Sequence, residues 1–535
     1  MSQATTADAA PVDAPKSTVS PWLVAGVVTV ATFMEVLDTS VANVALPHIA
    51  GSLSSSYDES TWALTSYLVA NAIVIPVSGW IAPIMGRKRF LMLCVALFTL
   101  SSALCGMADS LGALVFFRVL QGLGGGGLQP CVQAVLMDLF PGKKRGMAMA
   151  FYVVAILCAP VLGPTLGGWI TENYSWRWIF YINVPVGVVC LFLMQAILFD
   201  PPYLVKQREE NKGRRMRIDY VGLALLSIGL ATVEVMMDKG QQEDWFGSRL
   251  IVTLAVVAGV ALPAAALWEW YHDRPIVNLR LLTERNFLIC CIISGMVYAA
   301  MFATIVLLPQ LMQTLMGYSP LKAGLILSPA GLFTMALVPF VGMALSKGVD
   351  ARLLIGAGLL IGGCATLWMG HINLDVAPSN LLWPRVVQSM GVGLMFVPLS
   401  TIAFSYLPPR ESGHASALYS LVRNEGSSIG VALVTTMLFR ATQTHHAILA
   451  EKVNDYNPAA TATLDAMAAA APGADPAHAT LFSHALADAT VSKHAAMLAY
   501  LDQFHTFGLV MLGMIPLVFL LKKSSSGGSV ADAAH

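Results

Sequence analysis

The stretch Ala31–Pro47, ATFMEVLDTSVANVALP, decides how this chain reads. It lies in an apolar run from about Trp22 to Leu46, long enough to cross a bilayer as one helix. Two carboxylates interrupt it: Glu35 near the middle and Asp38 in the half beyond. A lone acid at that depth costs about 3 kcal/mol and ordinarily marks an ion or substrate pathway. Three positions apart, the two share one helix face. That face reads as the wall of a polar cavity in which one or both acids carry protons. The competing reading is a pair of fixed structural groups.

Composition places the rest of the chain in the same setting. Of 535 residues, 56% are hydrophobic and only 12% charged, with a mean hydropathy of +0.68. Soluble domains carry about 25% charged residues, so most of this surface is solvated by lipid. The net charge of zero gives no nucleic-acid footprint. All eight cysteines sit in apolar runs without CxxC or metal-ligand spacing and read as small packing residues. The first apolar run is too long and too acidic for a cleaved leader.

Apolar runs place spans at 22–46, 60–82, 90–108, 111–139, 145–170, 176–199, 218–238, 248–271, 286–313, 320–345, 352–371, 380–406, 413–439 and 502–521. Fourteen spans put both termini on one side. Of the 31 lysines and arginines, 21 fall on that side and seven opposite, with Arg118, Arg385 and Arg423 inside spans. The positive-inside rule therefore makes the termini cytoplasmic.

The chain also repeats itself. Arg118-Val-Leu-Gln121-Gly-Leu-Gly124 returns as Arg385-Val-Val-Gln388-Ser-Met-Gly391, and Pro141, Gly146 and Tyr152 return as Pro408, Gly413 and Tyr419. Ala45-Leu-Pro47 is echoed by Leu307-Leu-Pro309. The expected fold is all-α and membrane-integral, with two parallel six-helix repeats and two inserted helices. The organisation follows: a tail (1–20), a first bundle (21–200), a linker with the inserted pair (201–284), a second bundle (285–521) and a tail (522–535). The substrate site then falls between the halves near the midplane. The segment 441–501, broken by Pro and Gly near 471–476, reads as a small external helical hairpin suited to partner contact. Its histidines match no usual metal spacing, and no cofactor is expected.

Buried ionisable and polar residues supply the candidate chemistry. Counted from the span ends at 1.5 Å per residue, Arg118 and Asp38 lie at similar depth, so Arg118 can pair with Asp38 or Glu35. Pairing and release would load and discharge a proton; a permanent salt bridge is the alternative. Glu425, beside Arg423 and Asn424, is the second-half candidate. Glu234, in the inserted pair, reads as structural and away from the repeat interface. Asn43, Gln121, Gln129, Gln133, Phe302 and Gln310 are candidate lining for substrate. Ala159, Gly163 and Gly167 form a small-residue stripe, and Pro160 and Pro164 bend their helix. No nucleotide loop, metal cluster or nucleophile–base arrangement points to an enzyme.

Taken together, these motifs resemble the EmrB-like fourteen-helix drug:proton antiporters of the major facilitator superfamily. Leu37-Asp38-Thr-Ser-Val-Ala-Asn43-Val-Ala-Leu-Pro47 is similar to that family's helix 1 signature, and Arg118-Val-Leu-Gln121-Gly122 to its helix 4 motif, whose Arg is associated with proton coupling. Gly163-Pro164-Thr-Leu-Gly167-Gly168 is similar to its antiporter motif, and the segments Trp178–Gly187 and Asp244-Trp245 also fit the family. One motif departs: in Gly79–Lys88, Pro83 and Ile84 stand where the superfamily has an Asp and a basic residue. The charge relay usually given to that loop is thus not implied here. The resemblance implies proton-coupled efflux of small hydrophobic substrates across the inner membrane, with a periplasmic membrane-fusion adaptor (EmrA-like) and an outer-membrane channel (TolC-like) as partners. A narrower exporter of fatty acids or siderophores shares these features; a non-transporting receptor or scaffold is the reading of another class.

Overall fold

The computed structural model describes residues 20–522 apart from 141, 211–218, 274, 409–410, 455 and 472–474. The tails, most of the basic run at 211–218 and the centre of the Pro/Gly break lie outside the described residues. A helix covers each expected span: α1 (Pro21–Ser52), α2 (Trp62–Met85), α3 (Arg87–Gly106), α4 (Leu111–Leu139), α5 (Gly142–Asn173), α6 (Trp178–Ile197) and α7 (Tyr220–Lys239). Then come α8 (Arg249–Tyr271), α9 (Arg285–Thr314), α10 (Pro320–Ser346), α11 (Ala351–Met369), α12 (Pro378–Ala403), α13 (Ser412–Ala450) and α14 (Pro476–Gly513, continued by Ile515–Phe519). Among the described residues, 12 helices are long and apolar enough to span a membrane, and the bent α5 makes up to 13. The remaining one, α13, carries the polar step Arg423-Asn424-Glu425, which dilutes its hydropathy. Side chains fix several helix starts: Ser110 accepts from Ala113 N, Asp219 from Gly222 N and Glu284 from Phe287 N.

The last two helices outrun their expected spans. Instead of ending near 439, α13 continues to Ala450, and α14 begins at Pro476, about 26 residues before the expected entry. A short helix, Pro458–Ala469, lies between them. Interspersed His, Thr, Asp and Gln hide this continuity: they break the apolar run, while the many alanines keep the segment helical. His445 Nε2 to Asp502 Oδ2 (2.7 Å) and His446 Nε2 to Asp488 Oδ1 (3.1 Å) tie the two extensions together.

Helices α1–α6 and α9–α14 form two bundles that meet along two seams, α2 against α13 and α5 against α10. On the face that bears Arg87 and Lys88, glycines let the backbones touch. A Cβ on Gly79 would lie 2.8 Å from Ala417 Cβ and 2.9 Å from Gly413 O; one on Gly342 would lie 3.1 Å from Met147 Cα. The inserted pair α7–α8 is not remote from these seams. Asp238 accepts a hydrogen bond from Thr65 on α2, and Glu234 accepts one from Ser428 Oγ on α13 at 2.8 Å. Glu234 therefore stands at the join between halves, which corrects its expected place away from the interface.

The bend of 40° in α5, at a break after Pro160, has a local cause. Pro164 has no N–H to give the carbonyl of Pro160, four residues back. Ser40 Oγ of α1 donates to that carbonyl at 3.4 Å.

Candidate functional site

Between the bundles lies a cavity of about 830 Å³, a size usual for small-molecule sites. Its wall draws on α1 from Val36 to Pro47, α9 from Tyr298 to Thr314, the start of α10, and α12 around Arg385 and Ser389. These are the parts of the helices away from the Arg87 face, where the bundles close on each other.

Arg87 organises that closed face. It is buried; Nη1 donates to Ala134 O at 3.0 Å and pairs with Asp138, while Nη2 donates to Tyr203 Oη (2.9 Å) and to Ser412 Oγ across the seam (2.8 Å). Burial raises the Tyr203 hydroxyl above its ordinary value, so it stays protonated and donates to Asp138 Oδ2 at 3.0 Å. Pro83 meets Gly413 as an apolar contact, 3.6 Å from where a Cβ would sit. The ion pair on this face joins Arg87 of α3 to Asp138 of α4.

The two acids of α1 sit in unlike surroundings, both buried in protein and away from lipid (4% and 2% exposed). Asp38 is fully engaged. Its Oδ2 takes Arg118 Nη1 at 2.5 Å, and its Oδ1 accepts from Gln121 Nε2 (2.9 Å) and Asn183 Nδ2 (2.7 Å). Arg118 also donates through Nε to Ala63 O (2.9 Å) and stacks over Tyr67, 4.3 Å from the ring centre. Among the described residues Glu35 meets only neutral donors: Tyr67 Oη (3.2 Å), Asn71 Nδ2 (3.3 Å) and Gln129 Nε2 (3.0 Å). Gln129 lines the cavity, so one side chain separates Glu35 from it.

Asn43, Gln129, Phe302 and Gln310 line the cavity. Gln121 and Gln133 do not, because each is consumed behind the wall. Gln121 bridges Asp38 and Arg118; Gln133, with its amide oxygen toward Arg423, accepts from Nη2 at 2.8 Å. Glu425 does not line the cavity; it lies near Glu234 of α7, and its buried Oε1 has no partner among the described residues. Along the antiporter motif, Gly163 is pressed on α1, where a Cβ would fall 2.1 Å from Ser40 Oγ, and Gly167 meets Val41. Gly168 faces open space and Pro164 lines the cavity. Tyr67, Asn71 and Asn183 escaped the sequence reading as acid partners. Asn71 inside an apolar span was the available signal.

The fold and the closed-face, open-face cavity define a membrane transporter of two related bundles. The chain belongs to the Major Facilitator Superfamily, whose family model matches residues 28–431. It is similar to the Multidrug export protein EmrB of Escherichia coli (strain K12), 41% identical over 436 residues that cover 81% of this chain and 83% of that one. It is also similar to the Fatty acid resistance protein FarB of Neisseria gonorrhoeae, 34% identical over 506 residues, 93% of this chain and 95% of that one. In fold it is similar to a crystal structure of a double-Trp XylE mutant, with a TM-score of 0.60 at 13% identity over 95% of this chain and 97% of that one.

Proposed function

We propose that this protein exports hydrophobic compounds across a bacterial cytoplasmic membrane in exchange for protons, with its termini cytoplasmic and the Arg87 face inward. The observation that carries the reading is Glu35, held by neutral donors one residue behind the cavity wall. An acid without a cation beside it can take a proton in place, whereas Asp38 is bound to Arg118. Rocking of the halves about α2–α13 and α5–α10 would expose the cavity to each side in turn. Protonation of Glu35 frees Gln129 to turn toward substrate, and Asp38 and Arg118 hold α1, α4 and α6 together through the cycle. Glu425, next to Glu234, gives the second half an acid of its own.

Similarity to multidrug exporters supports multidrug efflux as the activity. The extension of α13 and α14 on the face away from Arg87 suits an EmrA-like membrane-fusion adaptor that leads to a TolC-like channel. The test is a proteoliposome with an imposed pH gradient and a fluorescent hydrophobic compound that carries no positive charge. Glu35→Gln should abolish gradient-driven flux while the protein keeps its melting temperature; flux equal to wild type would remove Glu35 from coupling.

A further inference from the structure

The two halves repeat one polar network incompletely. In the first half, Arg118 and Gln121 share an acid, Asp38 of α1. In the second, Arg385 and Gln388 hold the repeated positions on α12 and bond each other. Gln388 then passes to Thr304 Oγ1 (3.1 Å) and Thr366 Oγ1 (2.8 Å), hydroxyls in place of a carboxylate. The helices around this pair offer no acid in the place of Asp38. Helices α9, α10, α11 and α12 contain no Asp or Glu along their full lengths. Arg385 is nevertheless 91% buried (9% exposed) and lines the cavity, with no hydrogen bond or ion pair beyond Gln388 among the described residues. Arg423, on the same wall, has only neutral partners among the described residues, including Tyr298 Oη (3.1 Å) and Ser420 Oγ (3.1 Å), and its buried Nε has none. A guanidinium held in a membrane without a counter-charge is costly, and a fork of free donors matches a carboxylate.

We propose that Arg385, with Arg423 beside the same space, is the subsite for the anionic head of an amphiphile. The head is a carboxylate, and its apolar body lies against Phe302, Ile305 and Leu327. The transported anion completes the network that α9 leaves open. This rests on the export reading and narrows its substrate class: organic acids are preferred over neutral analogues of the same shape.

Equilibrium binding tests this without any gradient, and so separately from coupling. Purified protein in lipid nanodiscs at pH 8 is titrated with 2-naphthoate and with its neutral amide, 2-naphthamide, by calorimetry. Wild type should bind the acid at least about tenfold tighter. Arg385→Gln should bring that ratio to within about twofold of unity, and Arg385→Lys, which keeps charge but loses the fork, should retain part of it. Equal binding of acid and amide by wild type overturns the proposal, as does an undiminished preference in Arg385→Gln. If Arg385→Gln does not fold, judged by its melting temperature, Arg385→Lys decides, and a full preference there counts against the guanidinium. Loss of gradient-driven flux in wild type with the binding preference intact would sink antiport and leave the subsite standing.

Discussion

Arg87 Nη2 on α3 and Ser412 Oγ at the first residue of α13 are joined by a 2.8 Å hydrogen bond that crosses from one bundle to the other. It is charge-assisted, buried on the arginine side, and sits beside the Gly79–Gly413 backbone contact. Its loss removes about 1.5–3 kcal/mol from the state closed on that face. Ser412→Ala should therefore raise deuterium exchange at the α2–α3 turn and the start of α13 by tenfold or so. Unchanged exchange at both places would show that the glycine contact alone closes the face.

Asp38 and Glu35 predict opposite outcomes for similar substitutions. Asp38→Asn leaves Arg118 buried with no anion and should cost about 3–5 kcal/mol. Glu35→Gln keeps an oxygen acceptor for Tyr67 and Asn71 and should melt near wild type. Adding Arg118→Gln to Asp38→Asn should recover part of the lost stability, since no charge is then stranded. Melting curves in detergent decide, and equal loss from both single variants would contradict the unlike surroundings described above.

Two glycines five positions apart in α5 make a matched pair. Gly163→Ala forces a methyl to within 2.4 Å of Ser40 Cβ and should destabilise the protein by about 1–3 kcal/mol. Gly168→Ala meets nothing within 4 Å and should be neutral or slightly stabilising, because alanine is the better helix former. Combining Gly163→Ala with Ser40→Gly should restore stability. A failure of that rescue would mean the strain lies elsewhere on α1.

Glu234 offers a further check on α7. Its Oε1 depends on Ser428 Oγ, while its Oε2 is buried with no partner among the described residues. Ser428→Ala should cost about 1–3 kcal/mol by stranding the carboxylate, and Ser428→Thr, which keeps the hydroxyl, should be tolerated. A neutral Ser428→Ala would indicate that α7 does not lean on α13 through this bond.

The spans were legible because lipid-facing helices must be apolar over a fixed length, and so was the pairing of Arg118 with an acid of α1, though not which of the two, because depth along a helix is simple arithmetic. The facing of polar side chains was not. Gln121 and Gln129 look alike in the sequence; one is buried between Arg118 and Asp38, the other lines the cavity. Eight residues apart, they differ in depth and in helix face, and which of those faces meets the cavity depends on how α4 packs on α1. Glu35 was legible as an unusual acid, but its neutral partners on α2 depend on which face of that helix turns inward. The place of α7 was hidden for a related reason: an insertion lies outside the repeat in sequence, yet in space it settled where the halves meet.

The extension of α14 has a mechanical consequence. At 1.5 Å per residue its 38 residues reach about 57 Å, nearly twice the roughly 30 Å hydrocarbon thickness. About half of it is a stiff stalk, cross-tied to α13 by two histidine–aspartate bridges and rooted in a single bundle. A tilt of that bundle by ~10° swings a tip ~25 Å beyond the lipid through ~4 Å. Under the rocking proposed above, a partner bound to the stalk would receive each turnover as a lever stroke.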